Sequence, residues 1–565
     1  MAVLVTFVLA SAVIAPMFFR GNASGHDLQF HLSSWMDVAG QWREGILLPR
    51  WAGWANWGFG EPRFIFYPPA SWMIGAFLGL LLPWKMVPGA FIWLALVVAG
   101  LSMWKFAREW LPQPQAVAAA ALYMVNPYHL ITVYYRSDFA ELLAGALLPL
   151  LLWCALGVVR EGARRAPLLA LVFAAIWITN APEAVIATYS LSLVFVAACA
   201  MRRSLQPLLN GAASMCGGFG LAAFYILPAA FERRWVQIGQ AISDNLQPSM
   251  NFLFTHANDP DFMRFNWKVS SVALGLILLT AIAAALSARR RRDVSEPWWI
   301  LFILGLTSIA LMLHPSLALW RLLPNLAFVQ FPWRWLEMLS LGFAFFFATA
   351  WSPASRPRVF FVSMVALLAI IAGAGALMVK DAWWDTQDAP FVLAAIHSGR
   401  GYEGTDEYQP NGDDRSELPG NPDPATRADD ASPTTAQPVE EVDADGGAFV
   451  PDPGARVELW SAQRKSFTSE SFMPVTLALK LLSYPAWQAQ VDGREVRFEV
   501  QPTTARLLLP LPAGTHRVEI RFRRTWDRAA GNAISAISCI ALLGFAYGNR
   551  RAARRRHAER TAASV

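Results

Sequence analysis

The chain has 565 residues, 55% of them hydrophobic and only 16% charged. That balance excludes a soluble globule and fits a polytopic membrane protein. The formal net charge of +6 comes from arginine clusters beside apolar runs, which is a topology signal and not a nucleic-acid-binding face.

Apolar runs that qualify as membrane spans lie near 2–19, 64–82, 86–104, 115–131, 139–158, 167–179, 184–200, 207–228, 268–287, 298–313, 335–351, 359–378 and 530–547. The first lacks a basic leader and a cleavage site, so it reads as a retained helix. Basic clusters at Lys105/Arg108, Arg160/Arg164/Arg165, Arg202/Arg203, 289–292, Arg356/Arg358 and 550–556 would face the cytoplasm. Segments 134–140, 180–183, 231–267, 314–333 and 380–528 would then face outside. One conflict stands. With loop 20–63 outside and Lys105 inside, only one of the runs 64–82 and 86–104 can cross. Tyr67-Pro68-Pro69 and Pro83 point to 64–82 as re-entrant or interfacial; the other resolution is that Lys105 and Arg108 break the positive-inside rule, which is statistical. The 25 Trp and 36 Phe suit membrane interfaces and apolar pockets. Cys154, Cys199, Cys216 and Cys539 all lie in apolar runs, which supports neither disulfides nor a zinc site.

The expected fold is a mainly α polytopic bundle of about 12–13 membrane helices with a small extramembrane all-β domain before the last helix. Residues 1–379 form the bundle and 380–447 an acidic segment. Residues 448–528 form the β domain, and 529–565 form the final helix and a basic tail. Within 403–447 there are 13 acidic residues against two arginines, a composition that reads as a disordered or extended acidic loop, so that 380–447 is expected to be partly disordered. From 448 onward apolar and polar residues alternate, and Asp492-Gly493 is a hairpin turn signal.

Four clusters carry candidate chemistry. The first is Gly25-His26-Asp27-Leu28-Gln29-Phe30-His31, just after the first apolar run. Asp27 there is a general base, its pKa raised by neighbouring Phe30 and Trp35, a group that aligns an acceptor nucleophile, or the cap of the helix that follows. His26 and His31 would orient it or contact a phosphate. The second is Arg136-Ser137-Asp138-Phe139-Ala140-Glu141. Arg136 would clamp a phosphate, while Asp138 and Glu141 would orient a sugar, hold a metal ion or favour a helix start. The third is Glu61-Pro62-Arg63 with Tyr67-Pro68-Pro69, where Glu61 and Arg63 pair together or face the cleft. The fourth is Phe331-Pro332-Trp333-Arg334-Trp335, an interfacial girdle whose Arg334 would bind a lipid phosphate. Asn180, Glu183 and His256 are weaker candidates. No P-loop, GxGxxG after a strand, nucleophile elbow or HExxH occurs.

These clusters, with Pro49-Arg50-Trp51, Asn126-Pro127-Tyr128, Gly404-Thr405-Asp406-Glu407-Tyr408 and Tyr484-Pro485-Ala486-Trp487, resemble one family over most of the chain. Its members are labelled 6-pyruvoyl-tetrahydropterin synthase-related membrane proteins, although no zinc-binding histidine cluster of a pterin enzyme is present. That family is similar to the GT-C glycosyltransferases, whose relatives include lipid A aminoarabinose transferases and protein mannosyltransferases. The resemblance implies a polytopic bundle whose large first external loop carries an essential acid. It also implies a polyprenyl-phosphate sugar as donor, a glycan, lipid or protein as acceptor, and transfer that inverts the anomeric centre. Asp27 matches the essential acid, and Arg136, Asp138 and Glu61 match polar positions near it. The usual acidic pair is here His26-Asp27, a single acid, so divalent-metal use is left open. The implied location is the bacterial inner membrane, with active site and β domain facing the periplasm. The rival readings are a transporter or flippase and a non-catalytic assembly protein for an envelope glycan.

Overall fold

The computed structural model describes residues 1–257, 259–290, 294–351, 353–412, 418, 439–442, 449–451, 455–502 and 504–562. Its principal helices are α1 (Ala2–Ile14), α2 (Leu28–Arg43), α3 (Pro69–Leu81), α4 (Val87–Arg108), α5 (Gln113–Met124), α6 (Phe139–Glu161), α7 (Ala166–Trp177), α8 (Ala181–Arg202), α9 (Gln206–Leu221), α10 (Ala223–Glu232), α11 (Pro260–Ser287), α12 (Ser295–Leu311), α13 (Leu336–Ala350), α14 (Pro357–Asp381), α15 (Asp388–His397) and α16 (Trp526–Ala562).

Among the described residues eight stretches are long and apolar enough to cross a membrane, or ten if two sharply bent helix pairs each count as one span. Other apolar runs of the sequence form shorter helices. Helix α13 has 15 residues, nearly all buried, and is a core element of the bundle.

The run 64–82 does not form one helix. Tyr67 and Pro68 adopt extended backbone, so a single turn at Arg63–Phe66 is cut off from α3. With 13 residues, α3 rises only about 20 Å, short of a hydrocarbon core of about 30 Å. By its length α3 does not cross such a core alone, which fits the re-entrant or interfacial reading of 64–82.

The β region contains two five-stranded antiparallel sheets. One has the order β10-β11-β7-β3-β4 and the other β5-β6-β12-β8-β9. In these, β3 is Val439–Val442, β4 Phe449–Pro451, β5 Arg456–Trp460, β6 Arg464–Ser471, β7 Val475–Leu482, β8 Trp487–Val491, β9 Arg494–Val496, β10 Glu499–Val500, β11 Arg506–Leu511 and β12 Gly514–Phe522. Asp492 and Gly493 both have positive φ and close the β8–β9 hairpin as a primed turn, which matches the strand twist. Phe467, Leu477, Leu479, Val518 and Ile520 from the two sheets share one core.

Trp51 and Phe59 of the first long loop belong to that same core. The Trp51 ring lies 5.3 Å from Trp487 and 5.5 Å from Phe522. Gly60 makes room for it, since a Cβ there would lie 1.9 Å from the indole nitrogen. The β sandwich is thus fused to the loop that carries the first candidate cluster, and is not a tethered satellite.

The acidic segment needs a partial correction. Residues 413–417, 419–438 and 443–448 lie outside the described residues. Residues 403–412, however, are packed: Thr405 donates its amide to Glu61 at 3.0 Å, and Tyr408 stacks on Phe66 at 5.9 Å. Val439–Val442 is a sheet strand. Acidic composition is overridden there by a buried hydrogen-bond partner and by strand pairing.

Candidate active site

Two backbone segments assemble the site. The chain leaves α1, forms β1 (Asn22–Ala23) and pairs with β2 (Trp384–Asp385) just after α14. It then passes over the end of the Gln113–Arg136 stretch. Residues Thr132–Arg136 form a π-helical turn, and Ser137 follows in the left-handed region at φ 55°. That break, frequent at functional sites, frees the Arg136 carbonyl. The carbonyl accepts the Asp27 amide at 2.9 Å. The Ser137 hydroxyl accepts the Gly25 amide at 3.1 Å and donates to the Ala23 carbonyl at 2.7 Å. Gly25 must lack a side chain, because a Cβ would sit 2.5 Å from the Arg136 carbonyl carbon.

The side chains of this seam form a network of three carboxylates, Asp27, Asp138 and Glu141, and two guanidiniums, Arg136 and Arg334. Arg136 contacts Glu141 at 2.5 Å, Asp138 at 2.9 Å and Asp27 at 3.7 Å. Arg334 contacts Glu141 at 2.7 Å and Asp138 at 3.3 Å, and donates to the Val329 carbonyl at 2.8 Å and the Gln330 side chain at 3.0 Å. Tyr128 donates to the other Glu141 oxygen. Asp138 also caps α6, accepting the Glu141 amide at 2.9 Å. Charge-assisted pairs of this kind hold buried groups in place only as a set, since each one alone would be desolvated without compensation.

Asp27 differs from the others. Its side chain is 38% exposed, whereas Arg136 is 3%, Asp138 5%, Arg334 4% and Glu141 0% exposed. It occupies the N-cap position of α2 yet makes no side-chain capping hydrogen bond. The carboxylate sits in a recess where surrounding atoms still displace bulk water. That burial, reinforced by the Asp138 charge and opposed by Arg136, His31 and Arg334, pushes its pKa up to about 6. For Asp138, burial pulls upward, but Arg136, His31 and Arg334 outweigh it and hold the carboxyl well below the usual range. The two neighbouring acids thus have pKa values driven in opposite directions, Asp27 upward and Asp138 downward.

Around Asp27, His26 is exposed and packs edge-on to Phe265 of α11 at 5.0 Å. Partial desolvation where the ring packs on Phe265, then the Arg136 charge, lowers its pKa, so the imidazole is neutral near pH 7. Tyr67 is half-buried beside Phe30, 4.8 Å between rings. Burial, Asp138 and Asp27 raise its pKa, which keeps the phenol protonated as a donor. His26, Asp27, Gln29 and Tyr67 are therefore the residues of the two clusters that face open space.

Several sequence candidates do not. His31 is 1% exposed, 3.8 Å from Asp138, and enclosed by Trp35, Phe139 and Tyr67, and it does not reach the opening. Glu61 is buried and fully engaged by Arg63 at 2.7 Å, Asn56 at 3.2 Å and Thr405, so the pairing reading applies and not the cleft-facing one. Arg136, Arg334 and Glu141 saturate one another and present no open clamp. Asp138 and Glu141 already accept guanidinium hydrogen bonds, and among the described residues no group of three or more His, Cys, Asp or Glu is placed to hold a metal ion.

Sequence reasoning missed two features. Lys268 of α11, 42% exposed, lies over the Tyr135 ring at 5.3 Å and pairs with Asp381 beside the site. A lone lysine at a helix end carries no signal of that placement. The second is a polar group beneath the network, where His129 meets Glu337 at 3.0 Å. Glu183, noted only as a weak candidate, is buried with both carboxylate oxygens unpartnered.

A bundle of helices long and apolar enough to cross a membrane, with a β sandwich packed on its first long loop, defines a polytopic membrane protein that carries a buried charged network. The chain belongs to the family described as "6-pyruvoyl-tetrahydropterin synthase related domain; membrane protein", which residues 64–383 match. No curated protein matches the sequence. Among solved structures the chain has a weak likeness to the arabinofuranosyltransferase AftD from Mycobacteria, at 18% identity and TM-score 0.42, covering 68% of this chain and 27% of that one. A second is the Archaeoglobus fulgidus oligosaccharyltransferase in the apo form, at 14% identity and TM-score 0.37, covering 72% of this chain and 56% of that one.

Proposed function

We propose that this chain is a membrane glycosyltransferase that moves a sugar from a polyprenyl-phosphate donor to a lipid, glycan or protein acceptor. The reaction runs at the outer face of a bacterial cytoplasmic membrane. The observation that carries the reading is Asp27: the exposed acid of an otherwise buried charge network, with a pKa pushed up to about 6.

An acceptor hydroxyl bound over Asp27 attacks the anomeric carbon. The new C–O bond forms as the bond to the donor phosphate breaks, and the hydroxyl proton passes to Asp27. Polyprenyl phosphate leaves with the bonding electrons, so no nucleotide is consumed. Arg136 fixes Asp27 from one side, and Asp138, Glu141 and Arg334 fix Arg136. His26 and Tyr67 line the mouth and contact the sugar, and Lys268 faces the lipid phosphate. The β sandwich, fused to the Trp51 loop, holds the acceptor.

The test is purified protein in nanodiscs with polyprenyl-phosphate sugars and a membrane-extract acceptor, comparing wild type with Asp27→Asn. Glycoside formation that Asp27→Asn abolishes supports the reading. Formation that persists in Asp27→Asn overturns the role of Asp27. Glu183, buried with both carboxylate oxygens unpartnered in the first turn of the Ala181–Arg202 helix, favours a second reading, a transporter of lipid-linked glycan. Movement of labelled lipid across liposomes without glycoside formation would establish it.

A further inference from the structure

Pro49-Arg50-Trp51 is a motif that the charged network at Asp27 does not use. Trp51 is locked in the sandwich core, and Gln41 donates to its carbonyl at 2.8 Å. Arg50 reaches the bundle instead and donates to the Phe224 carbonyl of α10 at 3.3 Å. Among the described residues that is its one hydrogen bond, and it forms no ion pair. A guanidinium carries five N–H donors, and a buried one is ordinarily met by a carboxylate or several carbonyls. Arg50 is only 8% exposed, so most of its donors are withdrawn from water without a protein acceptor.

Helix α10 and the start of α16 wall the place where Arg50 ends. Gly531 lets the two helices touch, since a Cβ there would lie 2.6 Å from the Ala223 carbonyl oxygen. Ser535 accepts the Phe224 amide at 2.9 Å. Nearer the start of α16, Arg528 grips Glu232 through two N–H groups, each at 2.7 Å, and Tyr484 donates to the same carboxylate. Glu232 is therefore spent. Asp527 is fully buried and has no hydrogen-bond partner. Burial lowers the Arg50 pKa to about 10; the Arg528 and Arg524 charges act the same way, while Glu232 and Asp527 oppose them. Three guanidiniums thus stand against two acids, one of which is already bonded to Arg528. Arg524 is exposed and forms no ion pair among the described residues. At the rim Arg234 lies over the Phe231 ring at 3.9 Å, and Phe231 meets Trp526 edge-on at 4.6 Å.

This rim sits at the end of a membrane helix. From Trp526 an apolar stretch runs to Asn549, with 6% of its apolar window buried in the protein, so lipid surrounds it. Trp526 itself is 63% exposed, as an interfacial anchor is. Arginines stand at both ends of α16: Arg523, Arg524 and Arg528 at one, and the run 550–556 at the other. The sorting of arginine to one membrane face accounts for only one of these ends. At the other, the anion within reach is a lipid phosphate, whose oxygens accept guanidinium N–H groups in pairs.

We propose that Arg50 and Arg524 bind the phosphate of an anionic phospholipid headgroup at the junction of the first long loop, α10 and α16. The phosphate gives Arg50 the acceptor that the chain does not supply, and it joins the bilayer to the loop that carries the sandwich. Asp27 takes no part, so the site stands whether or not the chain transfers a sugar.

The test uses the full chain in mild detergent, titrated with phosphatidylglycerol or phosphatidylcholine of matched acyl chains, with bound lipid counted by native mass spectrometry. Wild type should retain phosphatidylglycerol in preference. Arg50→Gln and Arg524→Gln should each weaken that retention about fivefold, while Arg321→Gln, which removes an exposed arginine of another segment, should not. Arg524 is exposed, so its variant keeps the test decisive if Arg50→Gln misfolds. Equal retention of the two lipids, unchanged retention in Arg524→Gln, an equal loss in Arg321→Gln, or displacement of the lipid by inorganic phosphate overturns the proposal.

Discussion

The amide of Asp27 donates to the carbonyl of Arg136 at 2.9 Å, while their side chains stand 3.7 Å apart. Residues more than a hundred positions apart are thus joined first by backbone and then by charge. The separation of acid and guanidinium is fixed by a main-chain hydrogen bond and not by two flexible side chains, which favours preorganisation over adaptability.

That seam makes Gly25→Ala informative. The added methyl meets the Arg136 carbonyl at 2.5–2.8 Å. The loop must lift, carrying Asp27 off Arg136 although no charged residue has changed. We expect transfer to fall by about two orders of magnitude, as misplacement of a catalytic group by about 1 Å does. An activity assay on folded, monodisperse Gly25→Ala checks it, and near-normal activity would argue against a tightly positioned Asp27.

Removing the proposed base should be more severe. Asp27→Asn preserves shape and loses proton acceptance, so the rate should drop by roughly 10²- to 10⁴-fold. For wild type, ionised Asp27 is the active form, so the rate should rise with pH through about 6 and then level off. A profile still climbing well above neutrality would assign the base elsewhere.

The same titration has a sign for stability. Asp27 has its folded pKa raised from 3.8 to about 6, so the folded state holds its proton across that window. Its contribution to stability therefore falls as pH rises from about 4 to about 6 and stays low above. Asp138, held well below its ordinary value, works the other way: its contribution is present above about 4 and lost as pH falls further. Asp27→Asn should then melt above wild type at pH 7.5 and level with it near pH 4. Differential scanning fluorimetry across that range would reveal an unchanged difference, the contrary result.

Breaking the buried pairs should unfold, not merely inactivate. Arg136→Ala leaves Glu141 and Asp138 buried with one guanidinium fewer, at a cost of about 3–5 kcal/mol. Arg136→Lys should recover little, because one ammonium cannot meet carboxylates on two sides as a fork does. Denaturation in mild detergent decides this; stability unchanged in Arg136→Ala would mean that Arg334 alone neutralises both acids.

Docking of the sandwich should depend on one aromatic residue. Trp51→Ala opens a cavity among Trp487, Tyr484 and Phe522, at a cost of about 3–5 kcal/mol. The expected readout is new protease sensitivity in loop 45–60, with the membrane helices intact. Absence of new cleavage would show that the buried hydrogen bond from Tyr484 to Glu232, 2.5 Å, suffices to hold the sandwich.

Much of this was legible in the chain. Apolar run length marked the membrane helices, because a bilayer demands long uncharged segments. Alternation and Asp492-Gly493 marked the sheets, because a strand has period two and a primed turn needs positive φ. Tyr67-Pro68-Pro69 marked the break in 64–82, because proline forbids a continuous helix there. Asp27 and the Arg136–Glu141 cluster stood out as costly polar groups beside apolar runs.

Their relationship was not legible. That Arg136 and Arg334 neutralise Asp138 and Glu141 depends on three distant segments meeting, as does the engagement of Glu61 by Thr405 and the burial of His31. Sequence shows which groups are ionisable but not which are desolvated, and desolvation decides whether a carboxylate is a structural partner or a reactive acid. The sequence by itself determined a membrane bundle, a β domain and a short set of candidate acids and bases. Only tertiary structure left Asp27 open while burying its neighbours, because exposure and partner distance are properties of the packed whole.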